Sequence, residues 1–318
     1  MNKNFFYFLL IFSLILILGC IGGGQQQTSS NETVGQFSKG TFSAKVIVNG
    51  QSTNMMTLLS QQSAQIGLQI QNVGGSDIKN VKAILVGCVE GTVHKDKANI
   101  TAGSQDFFSW TVTAPPLSQS ELINCPTTIR VCYDRISRGY TELKFIPDAY
   151  LDVPEPPNSF SDSDVLATTF NIGVTRVLTN ISNDFSGTIT ISNIGQGWVD
   201  YANYTGSLSL NTLRKLTINI SSPNVVITKL RDALVPVRNI TEISGSNWTA
   251  VVLNASTAGP DISLLKLVQG NELYLPIRLN VTNANPYQSA PITETLNVEI
   301  DHGYCLDLAT IQVTLRGR

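Results

Sequence analysis

The chain has 318 residues, with 21 Lys and Arg against 23 Asp and Glu, so its formal net charge is only −2. This balance gives no electrostatic reason to expect nucleic acid as a partner, and basic patches with interleaved aromatic residues are absent. About 290 residues follow the N-terminal signal described next, which is enough for about two domains.

The first 24 residues resemble an export signal. Lys3 precedes an unbroken apolar run, Phe5–Leu18, which ends just before a glycine and a cysteine. A charged start, a short apolar core and a small residue at the cleavage site define a secretory signal. Ile17–Cys20 resembles a lipobox, and the Cys-Ile-Gly-Gly-Gly continuation is similar to archaeal lipoproteins. We therefore expect a signal peptide with a lipobox at 1–20 and lipidation on Cys20.

An uncleaved membrane anchor is the alternative, because Phe5–Ile21 reaches the lower length limit for spanning a bilayer. Either form places the rest of the chain at the cell membrane, on its extracellular side, with the membrane as a partner through this N-terminal segment. Residues 21–38 are rich in Gly, Gln, Ser and Thr and have almost nothing to bury, so we expect a flexible spacer there.

Short β-strands are predicted from about Thr41 onward. In Gln65–Gln71, apolar residues alternate with polar ones, which is typical of a half-buried strand. A turn at Arg138-Gly139 is expected to separate the last two strands of the first half. The further predicted strands are Ile78–Val86, Phe108–Val112, Ile129–Tyr133 and Tyr140–Ile146. Short strands separated by Gly and Pro favour a β-sandwich.

A proline-rich acidic segment divides the chain. Asp148–Asp164 contains three prolines and five acidic residues, which leaves it little to bury. We expect a semi-rigid, solvated linker at 151–164, between one domain at 39–150 and a second at 165–318. Calcium binding by these acids is the less favoured alternative, because the acids lack a regular spacing.

Three segments of the first half have counterparts in the second half, in the same order. The first pair shares the pattern apolar, polar, apolar, polar, Asn, aliphatic, Gly. The three pairs are Gly67–Gly74 with Thr188–Gly195, Phe107–Val112 with Leu275–Val281, and Val131–Asp134 with Tyr304–Asp307. Matches in one order indicate an internal duplication, which predicts two tandem sandwiches.

The Ile/Leu-x-Ile-x-Asn-aliphatic-Gly strand and turn, followed by a Gly and a further apolar strand, resemble the CARDB-like and related immunoglobulin-like modules of prokaryotic surface proteins. The resemblance covers most of both halves. It implies an all-β chain of two tandem immunoglobulin-like β-sandwiches. It carries no catalytic residues and implies no cofactor.

Four cysteines follow the predicted anchor: Cys88, Cys125, Cys132 and Cys305. An even number of cysteines outside the cytoplasm indicates disulfides. A Cys88–Cys125 bridge is favoured, because both residues lie at strand ends of the first domain. A Cys132–Cys305 bridge between the domains, a Cys88–Cys132 pair and free thiols are open alternatives, since equivalent positions of two repeats need not meet.

Asn-X-Ser/Thr sequons are mildly enriched over chance, which supports surface exposure and makes this chain a candidate glycoprotein. The candidate asparagines are Asn31, Asn99, Asn180, Asn203, Asn219, Asn239, Asn247, Asn254 and Asn280.

Other conspicuous residues favour structural roles. His302 lies close to Cys305, but a lone His/Cys pair lacks the partner pairs of a structural zinc site, so no metal is expected. Trp110 and Trp198 fall on strands or strand ends and are expected in the core. Trp248 lies in a sequon loop, where an exposed ring is available to stack on a sugar.

The sequence therefore predicts a membrane-anchored cell-surface protein without catalytic activity, which serves adhesion, partner display or envelope scaffolding. Another surface protein or a glycan is the expected partner. A carbohydrate- or solute-binding lipoprotein is the first alternative, and a pocket that includes Trp198 or Trp248 favours it. An enzyme with no recognisable motif is the second alternative, and it requires clustered carboxylates in a cleft.

Overall fold

A computed structural model describes residues 36–39, 41–89, 91–94, 98–149, 155–162, 164–178, 183–200, 210–231, 240–242, 249–255 and 264–318. The predicted signal and Cys20 lie outside the described residues, and so does most of the predicted spacer. Within these described ranges, no helix has both the length and the apolar character needed to cross a bilayer.

β-Strands account for most of the described chain, as the period-two patterns predict. They are β1 Gln36–Lys39, β2 Phe42–Val48, β3 Gln51–Ser52, β4 Met55–Leu59, β5 Ser63–Asn72, β6 Ile78–Val86, β7 Gly91–Val93, β8 Ala98–Ile100, β9 Gln105–Thr113, β10 Leu122–Pro147, β11 Ser159–Ser161, β12 Leu166–Asn171, β13 Thr175–Val177, β14 Asn183–Asn193, β15 Trp198–Val199, β16 Lys215–Ile220, β17 Val225–Leu230, β18 Ile240–Glu242, β19 Thr249–Asn254, β20 Glu272–Val281 and β21 Ile292–Arg316. A 3₁₀ turn covers Asn285–Tyr287.

Within the described ranges, the strands form three open sheets. One has the order β1-β2-β5-β9-β7 with β3 beside β2, and a second has the order β12-β14-β20-β17. The largest follows the order β18-β19-β16-β21-β10-β6-β8, with β4, β11, β13 and β15 attached. Alternate residues of the strands point into one buried apolar cluster, as Ile66, Leu68 and Ile70 of β5 do. The fold is therefore all-β and consistent with β-sandwich packing.

Two long strands, β10 and β21, connect the predicted halves. They pair antiparallel from Leu122 opposite Arg316 to Phe145 opposite Ile292, with one irregularity after Ile129. β10 also pairs with β6 of the first half near its start and with β13 of the second half at its end. β21 pairs with β16 near its start and with β4 at its end. β13 of the second half thus pairs with β10 of the first, and β4 of the first half pairs with β21 of the second. Because strands of each half pair with strands of the other, two separate tandem sandwiches are not confirmed.

The predicted duplication has a structural counterpart. β5 pairs with β9, and their counterparts β14 and β20 pair in the same way. The Asn of the repeated motif forms the same turn twice, since Asn72 Oδ1 accepts from the Gly74 N–H at 3.0 Å and Asn193 Oδ1 from the Gly195 N–H at 3.2 Å. This side-chain-to-backbone bond explains why asparagine stands at the end of both strands.

The predicted turn at Arg138-Gly139 is wrong. Both residues lie inside β10, so the predicted strands Ile129–Tyr133 and Tyr140–Ile146 are parts of one strand of 26 residues. Gly139 allows a close approach, because a Cβ there would lie 3.0 Å from Thr168 Cβ and 3.2 Å from the Phe160 carbonyl oxygen. The glycine therefore accommodates neighbouring strands and does not reverse the chain.

Part of the predicted linker is folded onto β10. Ser159–Ser161 forms β11, which pairs antiparallel with Gly139–Thr141. The carboxylates of Asp162 and Asp164 pair with Arg135, whose side chain is 1% exposed. The expectation of a solvated acidic hinge is therefore wrong for these residues, because a buried arginine of β10 requires their charge.

Candidate functional site

An aromatic groove lies on the outward face of the largest sheet, where β10, β11, β16 and β21 are neighbours. Its volume is about 410 Å³. Tyr140 and Phe160 stand directly opposite each other on β10 and β11, with ring centroids 5.6 Å apart and ring planes inclined at 24°. They are 42% and 52% exposed. Two stacked rings that remain this accessible form an apolar platform open to a ligand.

Polar side chains continue the groove in two rows across the strands. Arg138 lies opposite Glu299, and Tyr140 lies opposite Asn297. Thr217 and Asn219 of β16 extend these rows, because they lie opposite Glu299 and Asn297 respectively. The Arg138 Nε–H donates to Glu299 Oε2 at 3.0 Å. The groove thus combines an aromatic surface with an ion pair, amides and a hydroxyl, as small-ligand pockets commonly do.

The groove depends on both halves of the chain. β10 comes from the first repeat, β11 from the predicted linker, and β16 and β21 from the second repeat. No pattern in the sequence indicates this grouping, since Tyr140 and Phe160 stand on either side of the predicted domain boundary. A period-two pattern places each side chain on an outward face, but it does not reveal which strands become neighbours.

A serine–histidine pair lies deep in the molecule. Ser137 Oγ is 3.0 Å from His302 Nε2, and the two residues are 1% and 0% exposed. Burial, and to a smaller extent the charges of Arg135 and Arg214, lowers the pKa of His302 to about 3, so the imidazole is neutral near pH 7. Because no substrate reaches a fully buried pair, this geometry favours a packing role over nucleophilic catalysis.

Acidic side chains along β10 and β21 are held in ion pairs. Arg214 contacts Asp134 at 2.8 Å and Asp301 at 2.9 Å, and Arg130 contacts Asp307 at 2.7 Å. Across the described part of the chain, no group of three or more His, Cys, Asp or Glu residues is arranged to hold a metal ion. Asp301 and Asp307, which flank the His302–Cys305 segment in the sequence, are thus both engaged by arginines.

The four cysteines in the described part of the chain fall into two pairs at disulfide distance. The Cα atoms of Cys88 and Cys125 are 6.0 Å apart. Cys132 and Cys305 stand directly opposite each other in the β10–β21 ladder, with Cα atoms 4.1 Å apart. Two equivalent positions of the repeats therefore meet, because the strands that carry them pair antiparallel around this point.

Only some of the predicted glycosylation and tryptophan residues lie in the described ranges. Of the sequon asparagines, Asn99 is exposed, Asn219 and Asn254 are half-buried, and Asn280 donates to Asp184 Oδ1 at 2.7 Å. Outside the described residues lie Asn31, Asn180, Asn203, Asn239, Asn247 and Trp248.

Trp110 and Trp198 occupy different environments. Trp110 is buried, as predicted for a core residue. Trp198 is half-buried, and Arg130 lies over its indole with Cζ 4.7 Å from the ring centroid. Because the guanidinium covers one face of this ring, Tyr140 and Phe160 are the better aromatic platform.

No protein-family model matches the chain, and no curated protein matches it either. Among solved structures, the C-terminal domain of the Streptococcus agalactiae polypeptide BspA is 8% identical, with 86% of this chain and 99% of that chain covered and a TM-score of 0.19. The Yersinia pseudotuberculosis adhesin InvE is 10% identical, with 92% and 61% covered and a TM-score of 0.18.

A part of native α2-macroglobulin from Escherichia coli is 13% identical, with a TM-score of 0.21. The match covers 59% of this chain and 24% of that one, so this chain spans about a quarter of that structure. TM-scores near 0.2 carry no argument about fold or function. The CARDB-like family, a lipoprotein and an archaeal source therefore stay predictions.

Proposed function

We propose that the chain is a membrane-anchored, non-catalytic cell-surface protein that adheres to carbohydrate through the aromatic groove. The sequence predicts adhesion as one role and a glycan as one partner, and this proposal joins the two. The observation that carries it is the exposed, stacked pair of Tyr140 and Phe160 beside two rows of polar side chains. Sugars present apolar C–H faces and hydroxyl groups together, so an aromatic platform with a polar border fits them.

The polar border has the chemistry that sugar hydroxyls need. Glu299 accepts hydrogen bonds, Arg138 donates them, and the amides and the hydroxyl of the two rows do both. The ion pair is 3.0 Å long and exposed, so its members are accessible from solvent. A neutral oligosaccharide lying across β10, β21 and β16 would contact both rows at once.

A titration of the full chain with neutral oligosaccharides tests this proposal. The protein is kept in a detergent without a sugar headgroup, and a neutral glycan panel first identifies the ligand. Removal of one stacked ring, by Tyr140→Ala or Phe160→Ala, is expected to weaken binding about tenfold.

The matched control is Phe107→Ala, because Phe107 is 47% exposed on a different sheet. This variant is expected to bind like wild type. The proposal fails if no neutral glycan binds, or if Phe160→Ala binds as tightly as Phe107→Ala.

A further inference from the structure

A second groove, of about 520 Å³, lies on the outward face of the four-stranded sheet. Its cationic side chains come from Lys229 and Arg231 at the end of β17 and from Arg278 of β20. No carboxylate occurs among the described residues that line it. In a chain whose net charge is −2, this groove is a local concentration of positive charge.

The placement of two of these cations is energetically unfavourable. Lys229 stands directly opposite Arg278 in the β17–β20 ladder. Like charges directly opposite each other destabilise an antiparallel pair. In the described part of the chain, neither residue forms a salt bridge that would relieve this repulsion. An anion bound between them would relieve it.

A β-bulge creates this arrangement. The register of β17 and β20 shifts between Ile227 and Lys229, so Thr228 is the extra residue, and its hydroxyl donates to the Arg278 carbonyl oxygen at 3.2 Å. Without the bulge, Thr228 would oppose Arg278 and Lys229 would oppose the inward-facing Ile277. Bulges commonly redirect a side chain at a functional position.

The third cation, Arg231, has a strained backbone conformation. Arg231 has a φ of +58°, in the left-handed region that residues other than glycine rarely adopt. Its N–H donates to the Pro276 carbonyl oxygen at 2.6 Å, which keeps the chain against β20 after β17 ends. Such backbone conformations persist where the surrounding structure requires them, often at ligand sites.

Neutral polar groups complete the lining. Ser186 lies opposite Arg278, and Thr188 lies opposite Pro276. Asn171 of β12 lies opposite Thr188. Two hydroxyls and an amide beside three cations suit a ligand that carries both acid groups and hydroxyls.

We propose that this groove binds the carboxylates and hydroxyls of an acidic polysaccharide. Guanidinium groups recognise carboxylates through paired hydrogen bonds, and Lys229 adds a point charge. The site is independent of the aromatic groove, because the two lie on outward faces of different sheets. It therefore goes beyond the proposed function.

Equilibrium binding of tetragalacturonate to the full chain tests the proposal, with the uncharged methyl ester of the same oligosaccharide as the ligand control. The acid is expected to bind and the ester is not. Lys229→Gln and Arg278→Gln are each expected to weaken binding about tenfold, because each removes a charge-assisted contact. The matched variant is Lys266→Gln, which removes an exposed cation elsewhere, and it is expected to bind like wild type.

Three results would overturn the proposal. Equal binding of the acid and the ester would exclude charge recognition. Wild-type affinity in Lys229→Gln and Arg278→Gln would exclude this groove. Displacement of the oligosaccharide by an equal concentration of inorganic sulfate would show a site for simple oxyanions only.

Phe160→Ala separates the two proposals. It is expected to lose neutral glycans and retain tetragalacturonate. Loss of tetragalacturonate binding in this variant would show that the acid binds in the aromatic groove instead.

Discussion

Replacing Asp164 with asparagine tests whether the acidic segment belongs to the folded body. The Arg135 guanidinium pairs with Asp164 and lies 3.5 Å from Asp162. It is also 3.4 Å from the Thr41 hydroxyl. Since the arginine side chain is 1% exposed, water does not replace a lost partner.

The expected loss in unfolding free energy is about 3 kcal/mol. Breaking a buried ion pair costs about 3–5 kcal/mol, because it leaves a buried charge without its partner. The lower end applies because Asp162 still faces the guanidinium. The double variant Arg135→Met/Asp164→Asn also removes the buried guanidinium, so part of the loss is expected to be recovered.

Urea denaturation of the full chain measures these differences. Asp148→Asn is the matched control, because Asp148 is an exposed acid of the same segment. It is expected to change stability by less than about 0.5 kcal/mol. Equal stability of Asp164→Asn and Asp148→Asn would show instead that the segment is a solvated linker.

Three further predictions follow from the long strands. The pKa of His302 is lowered to about 3 in the folded state from 6.5, so the unfolded state binds more protons and stability falls as the pH drops from 6.5 towards 3. At pH 4.5 the free energy of unfolding is expected to be about 2–3 kcal/mol lower than near pH 7. His302→Asn removes the titrating group, so a pH profile of urea stability that is the same in this variant as in wild type would contradict this. The double variant Cys132→Ser/Cys305→Ser removes a cross-link that closes a loop of 173 residues. Its free energy of unfolding is expected to fall by about 4 kcal/mol in the same assay, and a fall below about 1 kcal/mol would argue against a bridge. Gly139→Val is expected to displace β11 and abolish neutral-glycan binding in the titration, whereas wild-type affinity would show that the close packing at this glycine is not needed.

Local patterns in the sequence predict much of the fold. β6 has the bounds predicted for it, Ile78–Val86. The repeated Asn-aliphatic-Gly segments form the same turn, at Asn72 and Asn193, because asparagine bonds to a backbone N–H two residues ahead. These features depend on neighbours in the sequence, so the sequence contains the information needed to predict them.

Local patterns do not specify features that depend on pairing between distant strands. The Arg138-Gly139 pair resembles a turn in the sequence. Only the structure, where Thr168 packs against Gly139, shows that the glycine is needed for close packing of neighbouring strands. The meeting of Cys132 with Cys305 depends on the register of two strands that are far apart in the sequence. The cationic groove depends on a bulge at Thr228, which no periodic pattern predicts.

Hydrogen exchange of the full chain, with and without a saturating neutral oligosaccharide, shows directly whether the aromatic groove binds the ligand. We expect slower exchange in β10, β11 and β16 around Tyr140, Phe160 and Asn219, because a ligand in the aromatic groove contacts all three strands. Unchanged exchange in these strands, or protection confined to another surface, would contradict it.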